Sequence, residues 1–239
     1  MRRAARRSSF ADHAYQFYIS LNPPKVPRAV TVMNPYTEPA VKSYLDSFLA
    51  KYFDDNNPRI AILGINAGRF GAGLTGVTFT YPVALADECG IPNHLQRKRE
   101  LSSVYIYDMI RHMGGPAAFY KQFFLSAICP LGFTRKGVNL NYYDDRKLER
   151  AVTPFIISSL QQHIAFGCSR DHVVILGRGT NAKFFARLND EHRWFEHVHP
   201  LDHPRFIMQY RRRRLGEYLD LYANTLSRLG LAGESPSMF

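Results

Sequence analysis

Apolar residues fall along this chain in two alternating patterns: short continuous runs, and longer stretches with helical spacing. Arg59 to Ile65 is an unbroken apolar run behind a single arginine, the pattern of a strand buried on both faces. Phe123 to Ile128 repeats it and is stopped by Pro130, Val173 to Leu176 is a third such run, and Phe195 to His199 suggests a fourth strand. Between them lie amphipathic stretches. Val41, Tyr44, Leu45, Phe48, Leu49 and Tyr52 predict a helix over about 38–53, and further helices are expected over 100–113, 145–164 and 213–229. Thr180 or Asn181 can cap one more after the third strand. Residues 11–35 contain prolines and read as irregular, and Val77 to Pro82 reads as β-like.

Strands alternating with helices predict a three-layer α/β/α domain around a central, mostly parallel four-stranded sheet. Ligands of such sheets bind beyond the carboxyl ends of the strands, so the loops at 66–82, 129–142, 177–181 and 199–212 are expected to converge there. The chain has 239 residues, which suits one domain, taken as 28–229. It is flanked by a basic, partly irregular segment over 1–27 and a flexible tail over 230–239. The Arg-rich, acid-free start is compatible with a transit peptide but reads better as a basic tail.

Charge narrows the class of partner. A formal net charge of +11 favours a polyanion, and no apolar run approaches the roughly 18 residues of a membrane span, so nucleic acid is favoured over a membrane surface. The three cysteines, Cys89, Cys129 and Cys168, match no zinc spacing and are too few for a four-thiolate cluster. They read as reduced, buried thiols of a cytoplasmic protein, and no metal or cofactor is expected.

The loop after the first strand is the most informative segment. Gly71, Gly73 and Gly76 imitate a dinucleotide-binding fingerprint, which would make the protein a nucleotide-dependent oxidoreductase. That fingerprint must lie directly between a strand and a helix, and here it starts six residues beyond Ile65. The larger arrangement is Gly64-Ile-Asn-Ala-Gly-Arg-Phe-Gly71 followed by Thr75-Gly-Val-Thr-Phe79. Asn34-Pro35 and Glu38-Pro39 stand upstream, Phe123 to Leu131 and Gly137-Val-Asn-Leu140 downstream. Together these resemble the single-strand-selective monofunctional (SMUG) branch of the uracil-DNA glycosylase superfamily over roughly residues 28–229.

The resemblance implies a monofunctional enzyme that hydrolyses the glycosidic bond of deaminated bases in base excision repair. The partner is DNA, single- or double-stranded, and the protein is expected to be a monomer of the bacterial nucleoid. Asn66 takes the position of the asparagine that holds the attacking water, a role an amide can fill because it both donates and accepts. Phe79 takes that of the aromatic stacked on the extruded base; Ile65, Gly68 and Phe70 are expected around it. The second signature is a His-Pro after the last strand. His203, in His-Pro-Arg-Phe-Ile-Met-Gln-Tyr210, resembles a second bacterial subtype and is preferred to His199 as donor to the departing base. Arg205 and the run Arg211, Arg212, Arg213 and Arg214 are expected on phosphates.

The pattern breaks in three places. Ala67 and Arg69 replace prolines of the better-known branch, and Ala127 stands where the family's asparagine reads the base edge. Ser126, beside it, is the candidate for a substitute hydrogen bond. Uracil stays the first expectation, with hypoxanthine and xanthine opened up. The missing amide also keeps a second reading in view, a DNA-binding protein of this fold without catalysis.

Overall fold

The computed structural model describes residues 8–232. In chain order, the first helix α1 (Phe10–Ile19) leads through β1 (Thr31–Met33) to α2 (Pro39–Phe53) and the strand β2 (Arg59–Asn66). Two short helices, α3 (Ala72–Thr75) and α4 (Pro82–Asp87), precede α5 (Leu101–His112), α6 (Pro116–Tyr120) and β3 (Phe123–Cys129). A hairpin of β4 (Gly132–Arg135) and β5 (Val138–Leu140) follows, then α7 (Arg146–Ala165) and β6 (Cys168–Leu176). The chain closes with α8 (Thr180–His192), β7 (His197–Leu201), α9 (Pro204–Tyr210) and α10 (Leu215–Ala232).

Four strands form one parallel sheet in the order β3-β2-β6-β7, as the alternation of runs and helices predicts. The most apolar stretches are covered on both faces: Ile60 to Leu63 and the whole of β3 are buried. Ile62 pairs with Leu125 on one side and Val174 on the other, and Val174 in turn with His199. This register brings the carboxyl ends of β2, β3 and β7 to one edge of the molecule.

Several expectations are corrected. The stretch read as irregular from residue 11 begins with α1, a helix in the main core. Ser9 and Asp12 close a reciprocal capping box, and Phe10, Ala14, Phe17 and Tyr18 are buried. The ring of Phe10 packs 5.2–5.5 Å from Phe53, Phe124 and Phe166. Ser-x-x-Asp is a start signal that the later prolines mask. Val77 to Tyr81 is not a strand but a tight turn, and Pro82 opens α4. The third strand starts at Cys168, five residues early, and the fourth spans His197–Leu201, because Asn189 holds the backbone of Phe195 outside the sheet. A second sheet, antiparallel β1-β4-β5, was not predicted; its strands of three or four residues are too short for periodicity to show. The last helix begins at Leu215, after a 3₁₀ turn over Arg212–Arg214. It continues to Ala232, so 230–232 are helical; the rest of the expected tail, like residues 1–7, lies outside the described residues.

Candidate active site

A pocket of about 630 Å³ opens at the carboxyl edge of the sheet. Its wall is made by the β2–α3 loop, Thr78 and Phe79, Ala127 of β3, residues 138–141, the start of α5, and His203, Arg205 and Gln209. Three of the four expected loops contribute. The loop at 177–181 does not: Asn181 is buried, accepting from the Tyr142 hydroxyl and donating to the Leu176 carbonyl. Residues 99–102 take its place in the lining.

Asn66 ends β2, and its carboxamide is clamped from both sides. Nδ2 donates to the Leu140 carbonyl at 3.2 Å, and Oδ1 accepts from the Tyr142 amide at 3.2 Å. These bonds fix which end of the amide is oxygen, and leave Oδ1 one free lone pair.

Phe79 owes its place to the turn before it. The buried Thr75 hydroxyl donates to the Thr80 carbonyl at 2.6 Å and accepts from the Val77 amide at 3.1 Å. Phe79 itself has φ 55°, a conformation costly for an aromatic residue and held by that turn. Its ring lies over Gly64, where a Cβ would meet Cζ at 2.7 Å, so only glycine admits the ring here. Within the decoy pattern, a Cβ on Gly73 would strike the Gly68 carbonyl at 2.7 Å and Gly76 closes α3 in the left-handed region at φ 74°, so these glycines serve a four-residue helix and not a dinucleotide.

His203 is the N-cap of α9. Its Nδ1 accepts from the Arg205 amide at 3.1 Å, so the ring proton resides on Nε2. The ring centroid is 6.0 Å from that of Phe79. Desolvation pushes its pKa down to about 4, with Arg205 acting the same way and Glu100 opposing. The imidazole is therefore neutral at physiological pH, with one N–H to give. His199 lies outside this pocket, on β7, with Nε2 3.3 Å from His172 Nδ1.

Of the expected base-binding residues, Ile65, Gly68, Phe70 and Phe79 all line the pocket. Ser126 does not, and this corrects the sequence reading. Successive strand residues face opposite sides of a sheet, so with Ala127 in the pocket wall Ser126 turns into the core. There it joins a buried chain: His163 Nδ1 donates to the Ser159 carbonyl, its Nε2 accepts from Ser126 at 2.6 Å, and Ser126 Oγ accepts from Tyr18 at 3.0 Å. Among the arginines, Arg205 lines the pocket but none of Arg211 to Arg214 does. Arg211 stacks on Phe206, with Cζ 5.1 Å from the ring centroid, and Arg214 pairs with Glu217. Arg212 and Arg213 are exposed.

Sequence reasoning missed Arg69, Arg99, Glu100, Asn139, Asn141 and Gln209 as pocket residues. Among the described residues Glu100 is the one carboxylate in the lining; it caps α5, accepting from the Ser102 and Ser103 amides at 3.0 and 2.8 Å. The basic run Arg97 to Arg99 just before a helix start was the available signal.

This site and fold define a class. The family model described as the uracil DNA glycosylase superfamily matches residues 50–227, and a search of curated proteins finds no match. Among solved structures, the chain is similar to SMUG2 of Pedobacter heparinus, the wild-type crystal structure, with 41% identity, a TM-score of 0.91 and coverage of 93% of this chain and 99% of that one. The protein belongs to the uracil DNA glycosylase superfamily and, within it, to the SMUG family.

Proposed function

We propose that the protein is a monofunctional DNA glycosylase of base excision repair that hydrolyses the N-glycosidic bond of uracil, with the deaminated purines hypoxanthine and xanthine in reach. The observation that carries this reading is the convergence of Asn66, Phe79 and neutral His203 on one pocket.

The extruded base stacks on Phe79, and a water held by the free lone pair of Asn66 Oδ1 sits beneath the sugar's anomeric carbon. The glycosidic C–N bond breaks with its electron pair going to the base. His203 Nε2–H donates to the base oxygen on which the negative charge develops. The water oxygen bonds to the anomeric carbon, and its proton passes to the departing base or to bulk water. An amide is a poor base, so the work falls on stabilising the leaving group rather than on activating the water. Among the described residues no lysine lines the pocket to form an imine with the sugar, consistent with hydrolysis without a lyase step.

Ala127 in the wall offers the base edge no side-chain hydrogen bond, and with Ser126 turned away the selection of the base falls to the other polar groups of the lining and to pocket shape. The small side chain of Ala127 in the wall, where the family carries an asparagine, favours admission of a purine. The test is release of uracil, hypoxanthine, xanthine and thymine from single- and double-stranded oligonucleotides. Uracil is expected to be released, and thymine not. A protein that binds these DNAs yet frees no base would overturn the enzyme reading in favour of a binding module.

A further inference from the structure

The polar chain that draws Ser126 out of the pocket does not end in the core. His163 is buried, and desolvation lowers its pKa to about 4, so the ring is neutral and carries one proton. A carbonyl can only accept, so Nδ1 holds that proton for Ser159 and Nε2 must accept from Ser126. With its own proton spent, Ser126 Oγ accepts from the Tyr18 phenol at 3.0 Å. Burial pushes Tyr18 up to about 12, so the phenol keeps its proton, and that proton is committed to Ser126. What remains on Tyr18 Oη is a lone pair, and the Thr78 hydroxyl is the phenol's other side-chain hydrogen-bonding neighbour.

Thr78 links this chain to the pocket, whose wall it forms together with Phe79 and Ala127. The turn that carries it is packed on β3: a Cβ placed on Gly64 would lie 2.7 Å from the Phe79 ring and 3.7 Å from the Ser126 carbonyl. Thr78 therefore stands at the side of the pocket where Ala127 offers nothing polar. A threonine hydroxyl ordinarily rotates and can give or take a hydrogen bond. Here its proton goes to Tyr18, so towards a ligand it can only accept. Other polar groups of the lining are already engaged: the Asn66 amide is clamped at both ends, and Glu100 holds the Ser102 and Ser103 amides.

We propose that Thr78 reads the edge of the extruded base as an acceptor whose polarity is fixed by Tyr18, Ser126 and His163, and that it thereby selects bases with a ring N–H. This rests on the DNA glycosylase reading and names the selecting group within it. Deamination writes that signature. Turning cytosine into uracil converts N3 from a bare lone pair to an N–H, and turning adenine into hypoxanthine does the same at N1. Xanthine carries the N–H as well. A fixed acceptor pairs with any of the three, and sets its own lone pair against that of cytosine or adenine. Thymine and guanine also carry the N–H, so rejection of those two falls to pocket shape.

The experiment compares binding of two single-stranded oligonucleotides that differ at one position, a non-hydrolysable 2′-fluoro-deoxyuridine or 2′-fluoro-deoxycytidine. Phosphate contacts are common to both and cancel in the ratio of affinities. The unmutated protein should prefer the uracil probe by about 5- to 150-fold, the span expected when one buried hydrogen-bonding group is left unpaired. Thr78→Val, close to it in shape, should bring the ratio near one, and Thr78→Ser should keep the preference. Tyr18→Phe leaves Thr78 in place but frees its proton, so the cytosine probe should gain affinity and the ratio fall. A merely structural role for Tyr18 would weaken both probes alike. Equal affinity of the unmutated protein for the two probes would overturn the proposal. So would a preference undiminished in Thr78→Val, or a Tyr18→Phe variant that loses both probes equally. Base release by the unmutated protein is measured separately. A protein that prefers uracil through Thr78 yet frees no base would refute the glycosylase reading alone, and uracil release with a preference indifferent to Thr78 would refute this proposal alone.

Discussion

His203 does two jobs with its two ring nitrogens, and the same environment governs both. Nδ1 accepts from the Arg205 amide and caps α9, which leaves the proton on Nε2 of a residue that lines the pocket. His203→Asn keeps a preferred capping residue but withdraws the imidazole donor, so the protein should fold while single-turnover release of uracil slows by about 10²–10³-fold. His199→Asn should leave that rate nearly unchanged, because His199 faces His172 and not the pocket. The reverse ranking would move the donor role to His199. Protonation has a definite sign. His203 and the buried His163 both have folded pKa values lowered to about 4 by desolvation. Between about 6.5 and 4 the unfolded chain binds protons that the folded chain refuses, so stability falls as pH falls through that window and flattens below it. Melting temperatures across pH 7.5 to 4 should show this, with a shallower fall in His203→Asn. At Asn66, Ala should lower uracil release by at least about 10²-fold with little change in DNA affinity, since phosphate contacts carry binding. Asp should retain more activity than Ala because it restores an acceptor; an Asp variant as slow as Ala would show that position 66 does not hold the water. Asn66, Phe79 and His203 were legible in the sequence because each sits in a compact local motif. Ser126 was misassigned because two adjacent strand residues face opposite sides, and the motif does not say which faces the pocket.

At the level of elements, the helix α1 shows how local signals and long-range packing combine. Its capping box is written in four residues, Ser9 to Asp12, but its worth depends on Phe10 and Phe17 meeting aromatic rings from α2, β3 and the end of α7. Ser9→Ala should cost about 0.5–2 kcal/mol of stability and Phe10→Ala about 3–5 kcal/mol in urea titrations. A negligible cost for Phe10→Ala would mean that α1 is peripheral to the core. The central strands and the long helices α2, α5 and α7 were readable from periodicity, since each buries one continuous face or run. The β1-β4-β5 sheet was not, although β5 and the residues just after it supply the carbonyl and amide that clamp Asn66. Three-residue strands carry no period; their pairing exists only once β3 has delivered the chain to that place.

Over the whole molecule, the charge of +11 implies a steep fall of log DNA affinity against log salt. Replacing Arg211 to Arg214 with alanine should flatten the slope by about 0.9 for each phosphate that is no longer neutralised. The change should fall short of four phosphates, because Arg214 is already paired with Glu217. Replacing Arg69, Arg99 and Arg205, which line the pocket, should flatten it further. A slope indifferent to the four-arginine run would make that run a solvated surface.

The sequence by itself determined the parallel sheet, its principal helices and the two motifs, because buried runs, helical periods and tight turns are set by residues close together in the chain. Tertiary structure alone decided who shares the pocket. Strand pairing and its register brought Ala127 beside Gly64 and turned Ser126 away. The packing of α5 on α9 put Arg99 and Glu100 beside His203, about a hundred residues away in sequence. Such neighbours meet only after the chain has folded, since their contacts are fixed by which faces of distant elements the core buries, and no local pattern of residues encodes that choice.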